Sequence, residues 1–238
     1  MSDFGEREKE RKRDGEIFFS SPHLSFSPST FLSSKVSLHF EETARSDGYQ
    51  FIAGLDEVGR GCLAGPVVAA AVILNPKSTL PVGLNDSKKL SAKQRNRISE
   101  EIKSTAIAYA IAQVEADEID RINILQATKR AMILALEKLK PCADFLLIDA
   151  VQLKEISLPQ RAIIRGDSTS ASIASASIIA KTYRDALMCE YDKTYPQYGF
   201  AKHVGYGTKA HFEALREHGH CAIHRKSFRG VIELPIAD

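Results

Sequence analysis

The sequence predicts an α/β layered domain, and three observations carry the prediction. Short apolar, β-prone runs open the patterned part of the chain, stretches with three- and four-residue apolar spacing alternate with further short runs after them, and glycine, proline and capping residues punctuate the joins. Strands first and helices interleaved later is the order of a mixed sheet covered by helices.

Each element has its own signal. Phe51 to Leu55 and Val67 to Leu74 are short β-prone runs separated by the turn signals Gly59-Arg60-Gly61 and Gly65-Pro66, which predicts adjacent strands. Ser91 followed by Gln94 is a capping-box pattern that opens a helix to about Lys103. Ala106 to Val114 alternates as a strand with Ile107, Tyr109 and Ile111 on one face. Leu125, Thr128, Met132, Ala135 and Leu139 recur at helical spacing, with Pro141 beyond the end. Phe145 to Ile148 reads as a buried strand ending at Asp149, and a short strand follows near Ala162 to Ile164. Gly166-Asp167-Ser168 introduces a long helix from about Ser170 to Tyr191, whose Ala- and Ser-rich first turns let another backbone pack close. A last helix, Lys209 to His218, has Thr208 as cap and Gly219 as stop.

The 238 residues, 44% hydrophobic and 26% charged, suit one globular domain with an appendage. Residues 1 to 48 form that appendage: Glu6 to Arg13 alternates charges and Ser20 to Ser37 is rich in Ser, Phe and Pro. This composition predicts a mobile or disordered extension, with a small N-terminal module as the alternative; Phe18, Phe19, Phe26 and Phe31 leave room for docking. The globular domain is expected over residues 49 to 238. A formal net charge of +2 does not identify a partner. Cys62, Cys142, Cys189 and Cys221 are scattered without a CxxC pair and read as reduced thiols. No run approaches the roughly 18 to 20 apolar residues of a membrane helix, and a soluble, cytoplasmic protein is expected.

Four carboxylates, Asp56, Glu57, Asp149 and Asp167, each lie at the end of an apolar element, where a side chain leaves the core for a cleft. Taken singly each has a plainer reading. Asp56-Glu57 begins a solvated turn, and neighbours on a strand point to opposite faces unless a bend at Val58-Gly59 intervenes; Asp167 suits a helix N-cap.

Their setting adds more. Gly54-Leu55-Asp56-Glu57-Val58-Gly59-Arg60-Gly61, continued by Leu63-Ala64-Gly65-Pro66-Val67-Val68, closely resembles the signature of the ribonuclease HII family. Similar blocks follow in family order: Gly83 to Leu90, Ile148-Asp149-Ala150, Gly166-Asp167-Ser168, Ile173 to Lys181, Tyr195 to Phe200, Gly205-Tyr206-Gly207-Thr208 and His224 to Phe228. The resemblance implies an RNase H-like core, a central mixed sheet flanked by helices, plus a C-terminal helical lobe that completes a groove for duplex. It implies that Asp56, Glu57, Asp149 and Asp167 together hold two divalent cations, Mn²⁺ or Mg²⁺, which suits hard ions that prefer carboxylate oxygen. The implied activity is endonucleolytic hydrolysis of the RNA strand of RNA–DNA hybrids and cleavage at single ribonucleotides in duplex DNA, leaving 5′-phosphate and 3′-hydroxyl ends. A monomer is expected.

The resemblance also assigns Gly59, Arg60 and Gly61 to the ribonucleotide and its 2′-hydroxyl, and Tyr206 to stacking on the next deoxyribose. Ser87, Lys88 and Lys181 are candidate phosphate contacts, with solvated surface roles as the alternative for the lysines. Asp185 competes as a fourth ligand. A continuous helix would carry it about five turns, roughly 27 Å, from Asp167, so both cannot serve one site; the family pattern selects Asp167 and leaves Asp185 to pair with Lys181. Cys62 and Val204 depart from the family's usual Pro and Lys. His218, His220, Cys221 and His224 fit no established zinc spacing. The rival reading is a non-catalytic nucleic-acid-binding protein of the same fold. Glu233-Leu234-Pro235-Ile236 is too short to claim a sliding-clamp contact.

Overall fold

A computed structural model describes residues 36–232. Its sheet has five strands, β1 (Ile52–Val58), β2 (Val67–Ile73), β3 (Ala108–Val114), β4 (Phe145–Asp149) and β5 (Gln160–Ile163), in the order β3-β2-β1-β4-β5. β1 pairs antiparallel with β2, and β2 with β3; β4 runs parallel to both β1 and β5. The expected mixed α/β sheet is therefore present, and β2 lies inside it with both faces covered. Val67, Ala69, Ala71 and Ile73 enter one apolar cluster and Val68, Ala70 and Val72 another. This double burial is why the strand reads as a continuous apolar run.

One face is covered by α4 (Ile124–Lys138), through Ala127, Ala131, Met132 and Ala135. The other carries α2 (Ala92–Thr105) and the long α5 (Ala171–Thr194). α5 begins where Ser170 caps it and sits hard against β1: a Cβ on Gly54 would lie 2.2 Å from the Ser172 backbone carbon. The Ala- and Ser-rich first turns make this approach possible. The predicted capping box of α2 is complete, with Ser91 and Gln94 bonding reciprocally.

Beyond α5, α6 (Phe200–His203) and α7 (Lys209–His218) form the C-terminal lobe, packed through Leu63, Met188, Tyr198, Phe200 and Leu215. Thr208 caps α7 and Gly219 ends it with φ +69°, as expected.

Two details depart from the sequence reading, and one adds to it. Asn123, at φ +67°, separates α4 from an additional helix, α3 (Ala116–Ile122), and its side chain caps α4. On β3 the face with Ile107, Tyr109 and Ile111 is the more open one, with Ile107 and Tyr109 exposed, whereas Ala110, Ala112 and Val114 pack inward. Finally, the expected extension gives way to structure before residue 48. His39–Ser46 is a helix, α1, and its Glu41 is buried at the start of α5. Glu41 Oε1 accepts hydrogen bonds from Ser170 Oγ (2.6 Å), Ser172 N (2.8 Å) and Ser172 Oγ (2.6 Å). This carboxylate acts together with Val36, Leu38, Phe40 and Ala44, which pack against the core, to hold a segment that lacks a long apolar stripe. Phe18, Phe19, Phe26 and Phe31 lie outside the described residues.

Candidate active site

The sheet brings three of the four carboxylates together. Parallel pairing of β1 with β4 ends at Leu55–Ile148, so Asp56 and Asp149 are the next residues on neighbouring strands. Asp167 arrives from the one-turn helix Gly166–Ser168 that precedes α5, and the Gly166 N–H donates to Asp149 Oδ1 at 2.7 Å. Glu57 follows Asp56, its own N–H bonded to Asp56 Oδ1 at 2.8 Å, and the strand turns away at Gly59, φ +91°. That is the predicted bend, placed one residue after β1 ends.

Burial and mutual repulsion dominate the electrostatics. Asp56 is only 5% exposed. Its pKa is raised well above the ordinary aspartate value, first by burial, then by the charge of Glu57, with the Ser177 hydroxyl pulling it down and the Asp149 charge adding to the rise. Burial also raises Glu57, against the opposing pull of Arg60, whose Nη1 lies 3.3 Å from Glu57 Oε1. Asp149 is raised by burial and by the neighbouring Asp167 charge, against the Gly166 hydrogen bond. A second cation joins Arg60 among these groups: Lys88 Nζ is 3.0 Å from Asp167 Oδ2. Burial disfavours its ammonium, but the Asp167 bond and the charges of Asp167, Asp86 and Asp56 outweigh it and raise its pKa. Asp86, Lys88, Asp149, Arg165 and Asp167 line an open cleft of about 520 Å³.

These residues suit a hard divalent cation. The donors are all carboxylates, Glu57 Oε2 is buried without a partner, and the carboxylates repel one another, offset in part by the Lys88 ammonium at Asp167 and the Arg60 guanidinium at Glu57. Among the described residues no group of three or more His, Cys, Asp or Glu side chains is gathered closely enough to hold a metal ion as it stands. The site is an open set of anionic donors rather than a finished coordination sphere.

Asp185 stands apart, 2.7 Å from Lys181 Nζ and 3.4 Å from Arg95 Nη2, on the continuous α5. Lys181 Nζ donates to Asp185 Oδ1 at 2.7 Å, as the helical spacing predicted. Ser87 is buried, its Oγ 2.9 Å from Ser177 Oγ, so its hydroxyl braces the interior behind Asp56. Ser177 itself was missed as a site residue, although it falls within the Ile173 to Lys181 block.

The Gly59-Arg60-Gly61 segment divides in two. A Cβ on Gly59 would lie 2.2 Å from Arg184 Nε, whereas nothing lies within 4 Å of one on Gly61. Gly59 thus admits a buried arginine, and Gly61 is the glycine with open space before it. Arg184 donates to the carbonyls of Pro66, Val204 and Ala64, and Arg225 to those of Gly65 and Arg60. Both guanidinium groups are buried, and neither was singled out from the sequence. Tyr206 is 43% exposed, and its backbone bridges Cys62. Cys62 therefore stands beneath Tyr206, and Val204 occupies the left-handed region at φ +45°. His211 Nε2 and His224 Nε2 lie 3.0 Å apart, and all four cysteines are free.

Comparison with known proteins agrees with this geometry. The sequence profile of the family described as Ribonuclease HII matches residues 53–231. Relatives named Ribonuclease HII include one from Ruminiclostridium cellulolyticum, 56% identical over 80% of this chain and 74% of its own length. Another, from Syntrophotalea carbinolica, is 52% identical over 82% of this chain and 93% of its own. Among solved structures, ribonuclease H2 from Pyrococcus horikoshii OT3 aligns with a TM-score of 0.67 at 24% identity, covering 76% of this chain and 95% of that one, and shows the fold. The RNase HII of a PCNA complex from Archaeoglobus fulgidus aligns with a TM-score of 0.59 at 28% identity, covering 69% of this chain and 85% of that one. With the sheet, the profile and the relatives in agreement, the chain belongs to the ribonuclease HII family, endoribonucleases of the ribonuclease H class that act on RNA–DNA hybrids.

Proposed function

We propose that this enzyme cuts the RNA strand of hybrids and also duplex DNA at a single embedded ribonucleotide, leaving 5′-phosphate and 3′-hydroxyl ends, with Asp56, Glu57, Asp149 and Asp167 holding two divalent cations. The observation that carries the reading is the buried, mutually repelling carboxylate set beside an open glycine backbone and an exposed tyrosine. A structure in the same fold, the HIII enzyme Bst-RNase HIII, is described in complex with Mn²⁺. Mn²⁺ or Mg²⁺, once bound, supplies an activated water and charge neutralisation at the scissile phosphate.

The chain's own residues orient the substrate. The carboxylates fix the anionic donors at the strand ends, and Ser177 braces Asp56 from behind. Lys88, whose side chain is largely exposed, can exchange Asp167 for a phosphate oxygen when duplex enters. Gly61 lets the main chain approach a 2′-hydroxyl, the group that separates RNA from DNA. The Tyr206 ring stacks on the sugar that follows. Stacking of this kind is worth on the order of 1 to 3 kcal/mol, so Tyr206→Ala should slow cleavage at an embedded ribonucleotide by roughly ten- to a hundredfold and all-RNA hybrids by less. Tyr206→Phe should be much milder. Equal losses on the two substrates in single-turnover assays would remove the junction-sensing role. Acting as a soluble cytoplasmic monomer completes the proposal; no helix among the described residues is long and apolar enough to cross a membrane.

A further inference from the structure

The C-terminal lobe holds three histidines whose hydrogen bonds are all directed. His224 Nδ1 accepts from the Cys221 N–H (3.0 Å), so the Cys221 thiol at 3.1 Å must also donate to it, and the His224 proton is left on Nε2. That Nε2–H faces His211 Nε2 at 3.0 Å, so His211 must accept there and carry its own proton on Nδ1. The His211 Nδ1–H then donates to the Tyr206 carbonyl at 2.9 Å. Both ends of the chain are fixed by backbone groups, and both impose the same direction. His203 works on the other side of the tyrosine: its Nδ1 accepts the Gly205 N–H (3.2 Å) and its ring stacks on His211 at 4.4 Å.

We propose that the buried pair His211–His224 is a positioning device that holds the Tyr206 backbone at a fixed place beside the Arg60 loop. The proposal rests on the reading of Tyr206 as the group that meets the sugar after the ribonucleotide. Packing alone does not explain the pair. Two buried imidazoles must each be fully bonded or cost stability, a cost that an apolar pair of similar size would avoid. Here the bonding leads to the one exposed aromatic beside the Arg60 loop. The same segment also reaches that loop directly. Arg225, next to His224, donates to the Arg60 carbonyl at 2.9 Å, Ala64 and His224 form a backbone bridge, and the Leu63 N–H donates to the Gly205 carbonyl at 2.8 Å. His224 and Arg225 therefore tie both recognition elements to one short stretch of chain. Burial keeps both imidazoles uncharged at neutral pH, His211 lowered to about 4 and His224 to about 3.

The test uses the full-length enzyme. His211→Phe keeps a ring of similar size but removes the bond to Tyr206, and should slow cleavage at an embedded ribonucleotide by about five- to tenfold while slowing all-RNA hybrids less. His211→Asn retains a donor near the Nδ1 position and should recover much of the loss. In the double variant His211→Phe/Tyr206→Ala, the loss should be no greater than for Tyr206→Ala alone, since the histidine acts through the tyrosine. Multiplying losses would overturn the proposal. Should His211→Phe fail to fold, imidazole ¹⁵N shifts of the unaltered enzyme decide: His211 protonated only on Nδ1 and His224 only on Nε2 support the device, and the opposite tautomers or a charged ring at neutral pH overturn it. A selective loss in Tyr206→Ala that His211→Phe and His211→Asn both lack overturns the positioning role alone. Absence of a selective loss in Tyr206→Ala removes the junction reading and the positioning role with it.

Discussion

Glu41 anchors residues that composition alone assigns to a mobile extension, and its removal has a calculable effect. The carboxylate is 1% exposed and accepts three hydrogen bonds from Ser170 and Ser172 at the first turn of α5, where a negative charge also meets the positive end of the helix. Glu41→Ala leaves those three donors buried without an acceptor. Each such donor costs about 1 to 3 kcal/mol, and since the losses share one site a total of about 3 to 5 kcal/mol follows. For a domain of this size that lowers the melting temperature by roughly 6 to 20 °C. Glu41→Gln keeps an acceptor oxygen and loses the charge, for about 1 to 2 kcal/mol. Activity should fall with stability, because the same segment bonds the Asp167 turn: the Ser37 N–H donates to the Thr169 carbonyl at 3.0 Å and the Ala171 N–H to the Ser37 carbonyl at 2.9 Å. Thermal unfolding by circular dichroism measures the shift. A Glu41→Ala protein melting within about 2 °C of the parent would refute the anchoring argument.

Three further outcomes are expected. Mn²⁺ or Mg²⁺ at a hundred times its dissociation constant should stabilise the fold by about 2.7 kcal/mol in calorimetry, and Asp56→Asn should lose the effect; a parent enzyme indifferent to metal contradicts the carboxylate assignment. Gly61→Ala should melt like the parent, because a Cβ there meets nothing within 4 Å, yet cut an embedded ribonucleotide more slowly; unchanged cleavage would release Gly61 from recognition. For the buried His211 and His224, lowered to about 4 and about 3 by burial, the unfolded chain binds more protons than the folded one below the ordinary histidine value. Stability is therefore complete above about pH 6.5 and falls as pH drops toward 3, by roughly 2 kcal/mol per imidazole at pH 5; equal denaturant midpoints at pH 7 and pH 5 in a His211→Phe background and in the parent would contradict this.

The sheet was legible because its signals are local. Alternation, Gly-Pro turns and the Ser91/Gln94 box each act within a few residues, and Thr208 and Gly219 mark α7 as predicted. What escaped depends on distant partners. The anchoring of α1 combines one carboxylate meeting Ser170 and Ser172 across more than a hundred residues of chain with the packing of Val36, Leu38, Phe40 and Ala44, and no periodicity reports the carboxylate. α3 is too short, at seven residues, to show a helical stripe. At the site, the ends of apolar runs marked Asp56, Glu57, Asp149 and Asp167, and helical spacing correctly paired Asp185 with Lys181. The buried roles of Ser87, Arg184 and Arg225 stayed hidden because a polar residue in sequence carries no mark of burial. Gly59 shows the same limit: its lack of a side chain serves the Arg184 guanidinium, where the sequence offered only the approach of a sugar.

The most direct measurement is single-turnover cleavage of duplex DNA containing one ribonucleotide by the parent enzyme, Asp149→Asn and Asp185→Asn, each with Mn²⁺ and with a chelator. The account predicts metal-dependent cutting by the parent and by Asp185→Asn at similar rates, with 5′-phosphate ends, and a loss of at least about a hundredfold in Asp149→Asn with duplex binding kept. Substantial cleavage by Asp149→Asn, or cutting by the parent in chelator, would contradict the carboxylate-held metal site.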